Sequence, residues 1–186
     1  MKRERFVPAA HAALAFADLE IPIGHGEAMM PPRVEARIVQ ELAVRSEETV
    51  YEVGTGSGYL AALLARRGRH VTSAEIHGDL HDRAAANLAR AGLPNITLLQ
   101  GDSARSPLGE SAYDVIVLTG STPELPQGFL DRLNPGGRLF AVVGDPPVMR
   151  ALLVERAAGG ALRQKPLFET ILKPLVNALS PARFRF

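Results

Sequence analysis

The chain has 186 residues, 46% hydrophobic and 22% charged, and its 21 Lys and Arg against 20 Asp and Glu leave a net charge of +1. That length suits one domain, which buries roughly 70% of its unfolded surface and needs no staples. The absence of cysteine excludes a disulfide scaffold, a thiolate metal site and a cysteine nucleophile. Near-neutral charge gives no strong nucleic-acid signal, and no apolar run approaches the ~20 residues of a membrane span.

Residues Met1–Asp18 combine a basic head, an Ala-rich stretch and Ala15-Phe16-Ala17, the outline of a short signal peptide. Glu4 interrupts the head, and Pro8 and His11 interrupt the apolar part, so the expectation is a cytoplasmic protein. Pro31-Pro32 opens an amphipathic helix with Val34, Ile38 and Leu42 on one face. Thr49–Val53 reads as a buried strand, Gly54–Gly58 as a glycine-rich turn, and Leu60, Leu63 and Leu64 as a helix ending at Gly68. His70–Ile76 is a second strand. Leu80, Ala84, Leu88 and Ala91 line a helix that Gly92 and Pro94 stop.

Ile96–Gln100 and Tyr113–Leu118 are further strands, Pro123–Leu133 is a helix, and Pro135-Gly136-Gly137 turns into a strand over Arg138–Val143. Ala151–Ala157 and Leu162–Leu172 read as two strands around the Gly159-Gly160 hairpin turn. Strands alternating with helices predict an α/β, Rossmann-like architecture. It is a doubly wound, mostly parallel sheet with a C-terminal antiparallel hairpin. Ligands of such sheets bind beyond the carboxyl ends of the strands.

Those ends carry the chemistry. Glu52-Val53-Gly54-Thr55-Gly56-Ser57-Gly58-Tyr59 joins a strand to a helix. It departs from the dinucleotide fingerprint because its third glycine comes one residue early. G-x-G-x-G with an acid two residues before it is the form found in S-adenosylmethionine-dependent methyltransferases. Glu52 is suited to help hold the charged amino-acid end of that cofactor. Glu75 ends the next strand, 19 residues after Gly56, where an acid bonds a ribose hydroxyl. Asp102, in Gly101-Asp102-Ser103, can accept from an adenine amino group. Thr119-Gly120-Ser121-Thr122 should face the reacting group. Asp145-Pro146-Pro147-Val148 lacks the aromatic of the D-P-P-aromatic motif, and His77 with His81 lacks a third metal ligand. The tail Arg183–Phe186 is too short for a nucleic-acid arm.

The chain resembles the protein-L-isoaspartate O-methyltransferases from about Arg3 to Leu175. The resemblance rests on Phe6-Val7-Pro8, Ile21–Gly26, EVGTGSGYLAALLA, Glu75, Gly101-Asp102, YDVIVLTG and NPGGRLFAVVG. It implies a class I methyltransferase fold, S-adenosyl-L-methionine as cofactor and isoaspartyl-containing peptides or proteins as substrate. It implies cofactor binding by Glu52, Gly54, Gly56, Ser57, Gly58, Glu75, Ile76, Asp102, Ser103 and Thr119. One domain is expected over 1–186, with 1–45 as a substrate-side segment and 46–186 as the cofactor-binding core.

The family's I-S-x-P-H segment reads Met29-Met30-Pro31-Pro32-Arg33 here, so Met30 stands at the serine and Arg33 at the histidine. Methionine donates no hydrogen bond, and Arg33 is expected to compensate by a charge-assisted contact to an anionic substrate. Met30, Pro32 and Arg33 are the substrate-side candidates. No catalytic side chain is expected, because a carboxylate is already ionised at neutral pH and needs no general base. Two other classes fit the residues: a methyltransferase of the same fold acting on a small molecule or RNA base, and a non-catalytic cofactor-binding or partner-binding protein.

Overall fold

A computed structural model describes residues 1–179. Two short 3-10 turns, Arg3–Arg5 and Ala9–Leu14, lead into a small hairpin of β1 (Ile21–Gly24) and β2 (Glu27–Met29), then α1 (Pro32–Leu42). The alternating part follows as β3 (Thr49–Val53), α2 (Tyr59–Ala65), β4 (His70–Glu75), α3 (Gly78–Ala91) and β5 (Ile96–Gln100). It continues as β6 (Tyr113–Thr122), α4 (Gln127–Asp131), β7 (Leu133–Asp145), β8 (Val148–Arg156) and β9 (Leu162–Glu169). The large sheet has seven strands in the order β5-β4-β3-β6-β7-β8-β9. β5, β4, β3, β6 and β7 are parallel, while β8 and β9 are antiparallel. The strand order reverses between β3 and β6, which opens a crevice beyond their carboxyl ends.

Both faces of the central strands are covered, so their buried side chains are mostly apolar, with Glu52 and Ser73 among the exceptions. Val50, Val115, Val117 and Phe140 meet Val34, Ile38 and Leu42 of α1 and Leu60 and Leu64 of α2. Tyr51, Ile116, Leu118 and Leu139 meet Phe129 and Leu130 of α4. The N-terminal segment joins through Phe6, Val7, Ile21 and Ile23, which cluster with Leu80 and Leu88 of α3. Burying a side chain the size of Phe129 stabilises by about 1.5–3 kcal/mol.

Several boundaries differ from expectation. The helix expected over Pro123–Leu133 shrinks to α4, because Ser121 and Thr122 stay in the sheet opposite Val142 and Val143 while Leu133 already pairs with Tyr113. The strand expected to begin at Arg138 begins at Leu133, and the Pro135-Gly136-Gly137 turn sits inside it as an irregularity in register. The last strand ends at Glu169 instead of Leu172. Beyond it the chain returns to the rim, where the Ser121 amide donates to the Lys173 carbonyl (3.0 Å) and the Leu175 amide donates to the Ser121 carbonyl (2.9 Å). Ser121 Oγ also donates to the Leu172 carbonyl at 2.9 Å. The Arg183–Phe186 tail lies outside the described residues.

Candidate active site

The loop after β3 is shaped by its glycines. Gly54, Gly56 and Gly58 all have positive φ, at 88°, 55° and 83°, a conformation that costs a side-chain-bearing residue about 1–2 kcal/mol. A Cβ on Gly54 would lie 2.3 Å from Thr119 Oγ1, and one on Gly56 would lie 3.1 Å from Ile23 Cδ1. Gly58 serves a different purpose: a Cβ there would press on Leu88 and Ala84 of α3 at 3.2 and 3.4 Å.

Glu75 shapes the loop from within. Its carboxylate accepts from the amides of Gly56 (2.8 Å) and His77 (3.1 Å). Thr119 Oγ1 donates to the carbonyls of Val53 (2.7 Å) and Gly54 (2.8 Å), tying β6 to the start of the loop. The Asp102–Leu108 segment is fixed by a relay in which the Leu108 amide donates to the Tyr51 hydroxyl (2.8 Å), which bonds Ser103 Oγ (2.9 Å). Ser103 Oγ in turn donates to the Ser106 carbonyl at 2.6 Å. Asp102 makes the turn bond to the Ala104 amide (3.0 Å) and also accepts from Asn177 Nδ2 (2.9 Å).

Three adjoining cavities follow this rim. The first, about 40 Å³, is lined by Gly101–Ala104, Glu75, Ile76 and Gly54. The second, about 140 Å³, shares Gly54, Glu75 and Ile76 and adds Gly56, Met30, Thr119 and the returning residues 172–176. The third, about 50 Å³, runs under Gly54–Ser57 to Glu35, Tyr59 and Met30. A more voluminous groove of about 830 Å³ lies between the N-terminal segment and α3. It touches Gly56 and Ser57 but none of Glu75, Asp102 or Thr119, so the sequence-selected strand ends gather at the smaller cavities.

Glu52 lies one layer below. It is fully buried. Its Oε2 accepts from Ser73 Oγ at 2.5 Å, and Ser73 Oγ is itself bonded to Thr55 Oγ1 at 2.6 Å. Oε1 is buried without a partner among the described residues. Burial pushes this carboxyl up to about 8, against the bond from Ser73. Below about 4.5 both folded and unfolded chains hold the proton; between there and about 8 only the folded chain does, so stability falls as pH rises through that window. Glu52→Gln removes the titration. Its unfolding free energy relative to wild type should grow from pH 4.5 to 8 and then level off, and a constant difference by denaturant titration would exclude the assignment.

The substrate-side candidates separate. Met30 is buried and lines the second and third cavities, and Pro32 is the first residue of α1. Arg33 does not face the site. Val34, Ile38 and Leu42 turn inward, and one helical step of about 100° carries Arg33 outward. Its side chain is 79% exposed and pairs with Asp18 at 3.1 Å. The expected contact from Arg33 to an anionic substrate has no support in this geometry. His77 precedes α3 and stacks on His25 with ring centroids 4.2 Å apart, while His81 pairs with Asp82. No metal-binding cluster occurs among the described residues.

Two cavity residues went unnoticed in the sequence. Glu35 lines the third cavity and accepts from Arg3 Nε at 3.0 Å; burial outweighs the attraction of Arg3 and raises its carboxyl to about 8. An acid flanking the apolar stripe of α1 was the available signal. Lys173 reaches the second cavity from the returning segment, and no local pattern announced it.

The protein-L-isoaspartate(D-aspartate) O-methyltransferase family matches residues 1–180. The chain belongs to this family. A protein-L-isoaspartate O-methyltransferase of Methanoculleus marisnigri is 40% identical over 175 residues, covering 94% of this chain and 79% of the relative. One from Anaeromyxobacter dehalogenans is 40% identical over 184 residues, covering 98% and 88%. Among solved structures, a candidate protein-L-isoaspartate O-methyltransferase from Plasmodium falciparum, in complex with S-adenosyl-L-homocysteine, superposes with a TM-score of 0.81. It is 20% identical, over 94% of this chain and 85% of that one. At that identity the likeness speaks for the class I methyltransferase fold alone.

Proposed function

We propose that this methyltransferase transfers a methyl group from S-adenosyl-L-methionine to the carboxylate of an isoaspartyl residue in damaged protein. Family membership supports the activity. The single structural observation that carries the site is the convergence of Gly54, Gly56, Glu75, Asp102 and Thr119 on adjoining cavities at the β3/β6 switch point.

The residues present fit the donor. Asp102 to Ala104 and Ile76 form the wall suited to adenine. Glu75 retains acceptor capacity beyond its two amide bonds for ribose hydroxyls. The side-chain-free Gly54 and Gly56 leave room for the amino-acid end. When bound, the donor supplies an electrophilic methyl on a sulfonium, which the acceptor carboxylate takes as the carbon–sulfur bond breaks and its electron pair stays on sulfur.

The protein's part is alignment. Thr119 and Gly120, in the C-terminal half of β6, line the second cavity, where acceptor and donor must approach to about 3–3.5 Å. Met30 supplies an apolar wall that excludes water and strengthens the electrostatics inside. Neither a general base nor a metal is needed for an ionised acceptor. Among the described residues no helix is long and apolar enough to cross a membrane; a cytoplasmic setting and a protein acceptor rather than RNA are parts of the same proposal, in keeping with the net charge of +1.

The test is incubation with methyl-labelled donor and matched Asp and isoAsp peptides. Base-labile label on the isoAsp peptide alone is the expected result. Label on neither, with retained donor binding, would transfer the reading to a small-molecule acceptor. Glu75→Ala should weaken S-adenosyl-L-homocysteine binding more than about tenfold, since it removes a charge-assisted acceptor and the anchor of the Gly56 amide. Unchanged affinity by calorimetry would refute the cofactor assignment.

A further inference from the structure

We infer that Lys173 is a specificity-determining residue that binds the acceptor carboxylate, an inference that rests on the proposed methyl transfer to an anionic acceptor. Met30 lines the second cavity with a side chain that donates no hydrogen bond, and Arg33 is turned away. The charged side chains lining that cavity are Glu20, Glu27, Glu75 and Lys173. Among the described residues lining the cavity, an incoming carboxylate meets a single Lys or Arg, Lys173, beside His77 and the three acids that repel it.

Its backbone is fixed while its side chain is free to exchange partners. The Lys173 carbonyl accepts from the Ser121 amide at 3.0 Å, and the flanking Leu172 carbonyl and Leu175 amide also bond Ser121. Gly120 makes room for this segment, since a Cβ there would lie 2.8 Å from Leu175 Cδ2. Lys173 Nζ meets Glu27 Oε1 and the Gly26 carbonyl (3.3 Å) at the cavity mouth. The lysine side chain is 51% exposed and that of Glu27 25%, a setting in which an ion pair is worth no more than about 1 kcal/mol. Releasing Glu27 thus costs little, and an ammonium has three donors, so one group can hold Glu27 and the acceptor together.

The kinetic signature follows from the charges. The acceptor is anionic when it binds and becomes a neutral ester, so its attraction to Lys173 is greatest in the ground state and fades along the reaction. An interaction of that kind lowers KM without raising kcat.

Steady-state transfer to an isoAsp peptide is to be compared in wild type, Lys173→Met, Glu27→Gln and the double variant. Lys173→Met should raise KM for the peptide about tenfold, with kcat within about twofold and S-adenosyl-L-homocysteine affinity retained. Glu27→Gln should lower KM. If Lys173 only neutralises Glu27, adding Lys173→Met to Glu27→Gln would leave KM where Glu27→Gln set it, and that result overturns the inference; a further several-fold rise supports it. Lys173→Arg should restore most of the affinity. A wild-type enzyme that labels no isoAsp peptide would sink the underlying reading and this inference with it. An active wild type with unchanged KM in Lys173→Met would sink the lysine alone.

Discussion

Gly54→Ala should cost about hundredfold in methyl transfer, the scale expected when about 1 Å of displacement reaches a reacting centre. The new Cβ would fall 2.3 Å from Thr119 Oγ1, at a backbone φ of +88°. Either the loop moves off β6 or Thr119 swings away and abandons the Val53 and Gly54 carbonyls. Both responses disturb the wall shared by the three cavities. Second-site variants isolate the cause. Thr119→Ala deletes the colliding oxygen and should recover part of the activity and of S-adenosyl-L-homocysteine binding, whereas Thr119→Ser keeps it and should recover neither. Wild-type affinity in the single variant would remove Gly54 from the site.

The largest effect on stability is expected at Glu48, far from the chemistry. Its side chain is 4% exposed and accepts from Arg138 Nη1 and Nη2 at 2.8 Å each. It also accepts from the Arg45 amide (2.8 Å), Nε (3.0 Å) and Nη2 (2.8 Å). Arg138 additionally donates to the Leu42 and Ala43 carbonyls, closing a helix that ends on Ala43 at φ 41° rather than on glycine. Glu48→Gln leaves Arg138 uncompensated and should cost about 3–5 kcal/mol at neutral pH. That corresponds to a melting temperature lower by about 6–20 °C.

The pH dependence has a definite sign. Burial would raise the Glu48 carboxyl, but the bonds from Arg138 and Arg45 prevail and hold it at about 2. The stabilisation is therefore complete above about 4.5 and lost as pH falls through 2. The gap between wild type and Glu48→Gln should close across that interval in acid unfolding. Equal melting temperatures at pH 7 would refute the clamp.

The parallel core was legible because its signals are local. An apolar run, a glycine turn and an amphipathic helix each lie within a dozen residues, and the strand-end acids Glu75 and Asp102 stand at the cavities where the topology rule put them. What escaped was set by distant partners. The hairpin of β1 and β2 has strands of four and three residues, too short for a period to show. The rim segment after β9 takes its course from Ser121, some fifty residues earlier in the chain. Arg33 pairs with Asp18 on the outer side of α1, because sequence position gives a neighbourhood but not an azimuth on the helix. Lys173 reaches the cavity that Arg33 does not, through tertiary return rather than adjacency.

The third glycine of the loop has a broader consequence. Gly54 and Gly56 border the cavities, but the space that Gly58 keeps clear belongs to Leu88 and Ala84. One letter of the signature thus records how two helices nest, whatever small molecule the scaffold carries. A motif comparison that weights all three glycines alike counts architectural kinship as though it were shared ligand preference.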